Sequence, residues 1–215
     1  MKEIKVYHVQ GYSNYSCWIP NKKIVSNLDD ADVVVFEGGE DIDPNFYKNP
    51  QPKHRFTHHN TERDIYEIAV YKKALSKNKF ILGICRGSQF ICSQQENGML
   101  VQHQPNPSFL HEIKTFDNKN LIISSTHHQA MYPYKMNKED YNILAWTENY
   151  LKFHEDGNEE ELNPEKECEI VYFPKVKSLG IQGHPEMIVD KLPETINWLQ
   201  KLFLDLYINP EENEK

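Results

Sequence analysis

Apolar positions along the chain fall into two textures. In the first half, short runs that are apolar at nearly every position alternate with longer segments of helical spacing. Ile4 to Val9 is rich in β-branched and aromatic residues and stops at Gly11, which predicts a first strand. Ala31 to Phe36 is an almost unbroken apolar run closed by Glu37-Gly38-Gly39, and Phe80 to Ile84 is a second such run. Runs of this kind suit strands covered on both faces, as in a parallel sheet. Between them, Thr61 to Lys77 predicts a helix, with Ile65, Ile68, Ala69, Lys72 and Leu75 at helical spacings and Thr61 as N-cap. Ser88 to Asn97 predicts a second helix.

After Gly98 the pattern changes. Glu112 to Phe116 and Leu121 to Ser125 flank the turn sequence Asp117-Asn118-Lys119-Asn120, which predicts a hairpin. Tyr141 to Trp146, Glu169 to Phe173 and Ser178 to Gln182 read as further strands, and the acidic stretch His154 to Glu161 as a solvated loop. Asp190 to Ile208 predicts a C-terminal amphipathic helix with Ile196, Leu199, Phe203 and Leu206 on one side. Alternating strands and helices argue for an α/β domain with a parallel sheet, and the later hairpins for an antiparallel extension of it. Residues 1–209 are expected to form one domain and Pro210 to Lys215 a fraying tail.

Charge and composition narrow the function. The 215 residues carry 24 Lys plus Arg against 32 Asp plus Glu, a net charge of −8, which opposes a phosphate-tracking surface and makes a nucleic-acid partner unexpected. The longest strongly apolar stretch, Phe80 to Cys85, is far too short to span a membrane. The first residues, Met1-Lys2-Glu3-Ile4-Lys5, contain no secretory core, so a cytoplasmic location is expected. The four cysteines, at 17, 85, 92 and 168, form no Cys-x-x-Cys pair, and thiol chemistry is then expected to be catalytic rather than structural.

One cysteine stands apart. Gly83-Ile84-Cys85-Arg86-Gly87 lies between an apolar strand and a helix, the nucleophile-elbow pattern with Cys in place of Ser. A sharp strand-to-helix turn lifts the sulfur above the carboxyl edge of the sheet. Free N–H groups of the helix start favour a thiolate and a developing oxyanion there. A thiolate nucleophile wants a base and a group to orient it. Among ten histidines, His184 in Gly183-His184-Pro185-Glu186 is best placed, with Glu186 two residues on to hold the imidazole tautomer. Gly39, in the Gly-Gly pair after the buried strand, offers a second oxyanion N–H beside that of Arg86. The spacing of His58, His59 and Asp64, or of His103, His111 and His127, fits no standard zinc pattern, so neither metal nor cofactor is expected.

These segments resemble class I glutamine amidotransferases, and more closely their γ-glutamyl hydrolase branch, peptidase C26. The resemblance runs through Gly38 to Pro44, Arg63-Asp64, Gly83 to Gln89, Ser125-Thr126-His127-His128-Gln129 and Gly183 to Glu186, in that order. It implies a flavodoxin-like three-layer sandwich around a mostly parallel sheet, a Cys85–His184–Glu186 triad, and an oxyanion hole from the Gly39 and Arg86 backbones. It also implies that Gln89, Ser125, Thr126, His127 and His128 help hold a glutamyl moiety. Two features depart from the family: Glu37 stands where a Pro or small residue is usual, and Gly11 to Asn27 is short and carries Tyr12, Tyr15, Trp18 and Pro20.

The chemistry so implied is acyl transfer through a glutamyl thioester, on glutamine or a γ-glutamyl amine. A free-standing hydrolase is the first expectation. A glutaminase subunit delivering ammonia to a separate synthetase is the second, and an inactive amidotransferase-like binding domain the third. Arg63 and Asp64 are read as structural, and Cys92 as an inert core thiol.

Overall fold

A computed structural model describes residues 2–104, 109–155 and 158–209, and the expected tail at 210–215 lies outside them. In chain order the elements are β1 (Ile4–His8), β2 (Lys22–Ile24), β3 (Val33–Phe36), α1 (Thr61–Ser76), β4 (Phe80–Ile84), α2 (Arg86–Ser93), β5 (Met99–Val101), β6 (Leu110–Thr115), β7 (Asn120–Ser124), β8 (Ala130–Tyr132), β9 (Asn142–Glu155), β10 (Asn158–Phe173), β11 (Ser178–Ile181) and α3 (Pro193–Ile208). The sheet runs β2-β1-β3-β4-β11-β10-β9-β6-β7, with β5 and β8 paired to the side and β8 touching β10. From β2 to β11 neighbouring strands are parallel, and from β11 onward they are antiparallel.

Helices cover both faces. On β3, Val33 and Val35 join Ile196, Leu199 and Phe203 of α3 in one core, while Val34 and Phe36 join Tyr71 of α1 and Phe90 and Ile91 of α2 in the other. The period-two alternation of the strand sorts its side chains between the two layers. This is the α/β sandwich the alternation predicts. The parallel half carries the elbow at the end of β4 and the His184 turn after the adjacent β11.

Four sequence readings change. The buried face of α1 is Asp64, Glu67, Tyr71 and Ala74, while Ile65 is 55% exposed. Two carboxylates take the place of an apolar stripe because a buried arginine faces them. The N-cap is Asn60, whose side chain accepts from Arg63 N, rather than Thr61. Helix α2 begins at Arg86 and ends at Ser93, earlier at both ends than the spacing suggests. Finally, most of the acidic stretch His154 to Glu161 is a strand pair, with Glu155 opposite Asn158 and Lys152 opposite Glu161. A strand ladder is made of backbone hydrogen bonds, so a polar sequence can form one without a periodic sign of it. Among the described residues, no helix is long and apolar enough to cross a membrane.

Candidate active site

Cys85 sits between β4 and α2 with φ 53° and ψ −112°, a conformation an L-residue adopts only under constraint. The constraint is visible. Cys85 N–H donates to Ile181 O of β11 at 2.8 Å, and its own carbonyl accepts from Ser88 N, Gln89 N and Ser88 Oγ. A Cβ on Gly87 would strike the Phe36 carbonyl, and one on Gly83 would lie 2.5 Å from the Gly87 backbone, so the elbow closes only with glycine at both positions.

His184 follows β11, one strand over. Its Nδ1 lies 2.7 Å from Glu186 Oε1, and its backbone is clamped by Ser124, whose hydroxyl donates to His184 O and accepts from His184 N. Burial pulls the imidazole pKa down, but hydrogen bonds to Cys85 and Glu186, together with their charges, raise it to about 10. The arrangement favours an imidazolium facing the sulfur, with the carboxylate fixing Nδ1–H. Nε2 also lies 2.9 Å from Thr126 Oγ1. Thr126, implied as a substrate contact, therefore also touches the candidate base.

The side of the site that carries Gly39 and Arg86, the candidate oxyanion donors, is held by ion pairs. The buried Arg86 guanidinium pairs with Asp64 and Glu67 on α1. Arg63 donates to Glu67 through Nε at 2.7 Å and through Nη2 to the carbonyls of Glu37 and Gly38, while Asp64 accepts from Asp43 N at 2.9 Å. One network thus ties the helix after Cys85 to both ends of the Gly38–Asp43 loop. Gly39 has φ 138°, and a Cβ there would collide with Arg63 Nη1. Among the described residues its N–H donates to no protein acceptor, and the Arg86 N–H is the first of α2, where helix geometry provides none.

Glu37 is fully buried. Its carboxylate accepts from Gln10 N and Tyr12 N and lies 3.5 Å from His8 Nδ1. It anchors the start of the short Gly11–Asn27 segment, which brings Tyr15 to 6.0 Å from the His184 ring. Burial first, then the charges of Glu186 and Cys85, push the Tyr15 pKa up to about 12, so it stays a neutral phenol.

A cavity of about 160 Å³ opens beside the sulfur, lined by Gly39, Glu40, Asp41, His58, Cys85, Gln89, Thr126, His127, His128 and Gln129. Pockets for drug-sized ligands hold roughly 300–1,000 Å³, so this one suits a single small moiety. A larger groove of about 730 Å³ beside α3 contains none of these residues. Gln89 is anchored by donating Nε2 to Gln129 O at 2.9 Å. His128 pairs with Asp41 at 3.2 Å, an interaction that raises its pKa. Ser125 is buried and does not line the cavity. Glu67, Ser124 and Tyr15 were not singled out as site residues by the sequence. The proximity of Glu67 to Arg63, four residues before it, is the one local signal for the network.

A cysteine elbow facing a His–Glu turn across the parallel edge of this sandwich defines a class I glutamine amidotransferase-like protein. A solved Thermoplasma acidophilum structure, described as that of a GMP synthase subunit, superposes with TM-score 0.61 over 99% of this chain and 98% of that one, at 17% identity. More particularly, residues 9–186 match the peptidase C26 family, and the chain belongs to it. Protein NtpR of Enterococcus hirae is 29% identical over 183 residues, 74% of this chain and 69% of that protein. The glutamine amidotransferase-like protein RP404 of Rickettsia prowazekii is 46% identical over 73 residues, 34% of this chain and only 25% of its own length.

Proposed function

We propose that the protein hydrolyses a γ-glutamyl amide bond with Cys85 as nucleophile. The observation that carries this is the strained elbow at Cys85 joined to a histidine whose pKa the thiol and Glu186 together raise. The Cys85 thiolate attacks the side-chain carbonyl carbon, and the oxyanion accepts from the Gly39 and Arg86 N–H groups. As the tetrahedral centre collapses, its C–N bond breaks and His184 gives its Nε2 proton to the departing nitrogen. A glutamyl thioester remains on Cys85. His184 then takes a proton from water, the hydroxide adds to the thioester, the C–S bond breaks, and glutamate leaves. Asp41 and Glu40 suit the ammonium end of a glutamyl group, and His58 and His128 its carboxylate.

The likeness to a structure described as that of a GMP synthase subunit supports a second reading, in which the leaving group is ammonia passed to a synthetase. A panel of γ-glutamyl amines and glutamine, assayed for glutamate release by mass spectrometry, tests both. Turnover of substituted amines by the isolated protein is the expected result. Glutamine turnover appearing only with a synthetase present favours the second reading. No release from any compound, with Cys85 unlabelled by a glutamine-derived electrophile, overturns the proposal and leaves a binding domain.

A further inference from the structure

A cavity that suits only the glutamyl half of a substrate leaves the departing half to be placed. With the carbonyl carbon on the sulfur, its oxygen on the Gly39 and Arg86 N–H groups and its carbon chain in the cavity, the fourth substituent of the tetrahedral centre is the nitrogen, turned toward His184. Thr126 stands at Nε2 of that ring and lines the cavity. Tyr15 also stands against the ring, 6.0 Å between centroids, and does not line the cavity.

The fold holds Tyr15 there from two directions. Its segment starts at the buried Glu37 carboxylate, which accepts from Gln10 N and Tyr12 N. In the turn Ser13–Ser16, Tyr15 N–H donates to Tyr12 O at 3.3 Å. Trp18, buried edge-on against Phe203 of α3, donates Nε1 to Tyr15 O at 3.1 Å, and Gln200 of α3 donates to Trp18 O at 2.7 Å. The phenol then lies across Gly38. A Cβ built on that glycine would meet Tyr15 Oη at 2.9 Å and His184 Cε1 at 3.2 Å. Hydroxyl and imidazole therefore border one small space, over the residue whose peptide link carries the Gly39 N–H.

The backbone is anchored, yet the hydroxyl at the end of the side chain serves nothing in the protein. Among the described residues, Tyr15 Oη takes part in no hydrogen bond, although a tyrosine hydroxyl inside a fold usually finds a partner. As a neutral phenol it offers lone pairs as well as an O–H.

We propose that Tyr15 Oη accepts the N–H of the scissile amide and so orients the departing nitrogen, an inference that rests on the γ-glutamyl hydrolase reading above. In the amide, the nitrogen lone pair is shared with the carbonyl. As Cys85 adds, that pair localises, and it must face His184 Nε2 to take the proton. With its N–H held by Tyr15, the nitrogen turns its lone pair to the imidazole. The proton passes from Nε2 to nitrogen, the C–N bond breaks, and Tyr15 keeps its own hydrogen throughout. An ester has no N–H to hold, so the contact acts on amides alone.

The test compares γ-glutamyl methylamide with the γ-methyl ester of glutamate on full-length wild type and Tyr15→Phe, which lacks one oxygen atom. Glutamate release is followed by mass spectrometry and expressed as kcat/KM, which reports acylation for both substrates. The ratio of the amide value to the ester value falls about tenfold in Tyr15→Phe, as expected for one lost hydrogen bond. Both rates come from one preparation, so any misfolded fraction cancels from the ratio. An unchanged or raised ratio, whether both substrates slow together or neither slows, overturns the inference and leaves Tyr15 a packing residue. Wild type that releases glutamate from neither compound overturns the hydrolase reading and this inference with it, so the two failures are told apart.

Discussion

Arg86→Met is the most informative perturbation of the architecture behind the oxyanion side. Arg86 is fully buried, and its guanidinium is shared by Asp64 and Glu67, which are themselves fully buried. Methionine fills much of the volume but leaves the carboxylates facing it uncompensated. Among the described residues, Glu67 keeps Arg63 and Gln10, while Asp64 keeps only the Asp43 N–H. Removing one member of a buried ion pair costs about 3–5 kcal/mol. At about 2–4 °C per kcal/mol for a domain of this size, Tm falls by about 6–20 °C. The pH dependence identifies the cause. Burial already raises the folded Asp64 pKa with the arginine present, and losing the arginine removes a lowering influence and raises it further, so protonation favours the folded form of the variant. The deficit is then largest near pH 8 and shrinks as pH falls toward the raised pKa. Urea unfolding between pH 5 and 8 measures this, and adding Asp64→Asn and Glu67→Gln restores much of the loss. A deficit under about 1 kcal/mol, or one independent of pH, refutes the reasoning.

Other outcomes follow from the same geometry. The His184 imidazolium is stabilised in the fold, its pKa raised from 6.5 to about 10, so the stability it contributes is fully present below about pH 6.5 and is lost as pH rises through about 10; urea unfolding of wild type and His184→Gln across that window reads the difference. In Cys85→Ala the same ring titrates at lower pH by NMR, because the leading upward cause, the hydrogen bond to Cys85, is gone. Glu186→Gln lowers kcat by about 10⁴ while folding normally, since the carboxylate holds the tautomer and does not carry the proton; unchanged kcat excludes that role. Gly39→Ala lowers kcat by about 10²–10³, because a side chain at φ 138° meets Arg63 and displaces the oxyanion N–H.

The parts legible in sequence were those where local pattern and burial agree. Strands β3 and β4 are covered on both faces, so their apolar runs announce them, and the elbow glycines are forced by backbone contacts. What stayed hidden depended on contacts between distant segments. The inner face of α1 is polar because Arg86 waits across the interface. Edge strand β2 is Lys22-Lys23-Ile24, too short and charged to show alternation, and β5 and β8 hold three residues each. The Glu37 departure reads as an anomaly in sequence, whereas in the fold it is the anchor for the backbone of Gln10 and Tyr12.

The claim on which the rest stands is that Cys85 is a thiolate nucleophile poised for a γ-glutamyl carbonyl. Intact-protein and peptide mass spectrometry after treatment with a glutamine-derived diazoketone tests it most directly. The account predicts one adduct per chain, on the peptide containing Cys85, formed more slowly in His184→Ala and absent in Cys85→Ala. An unmodified Cys85, or a label found instead on Cys17, would contradict it.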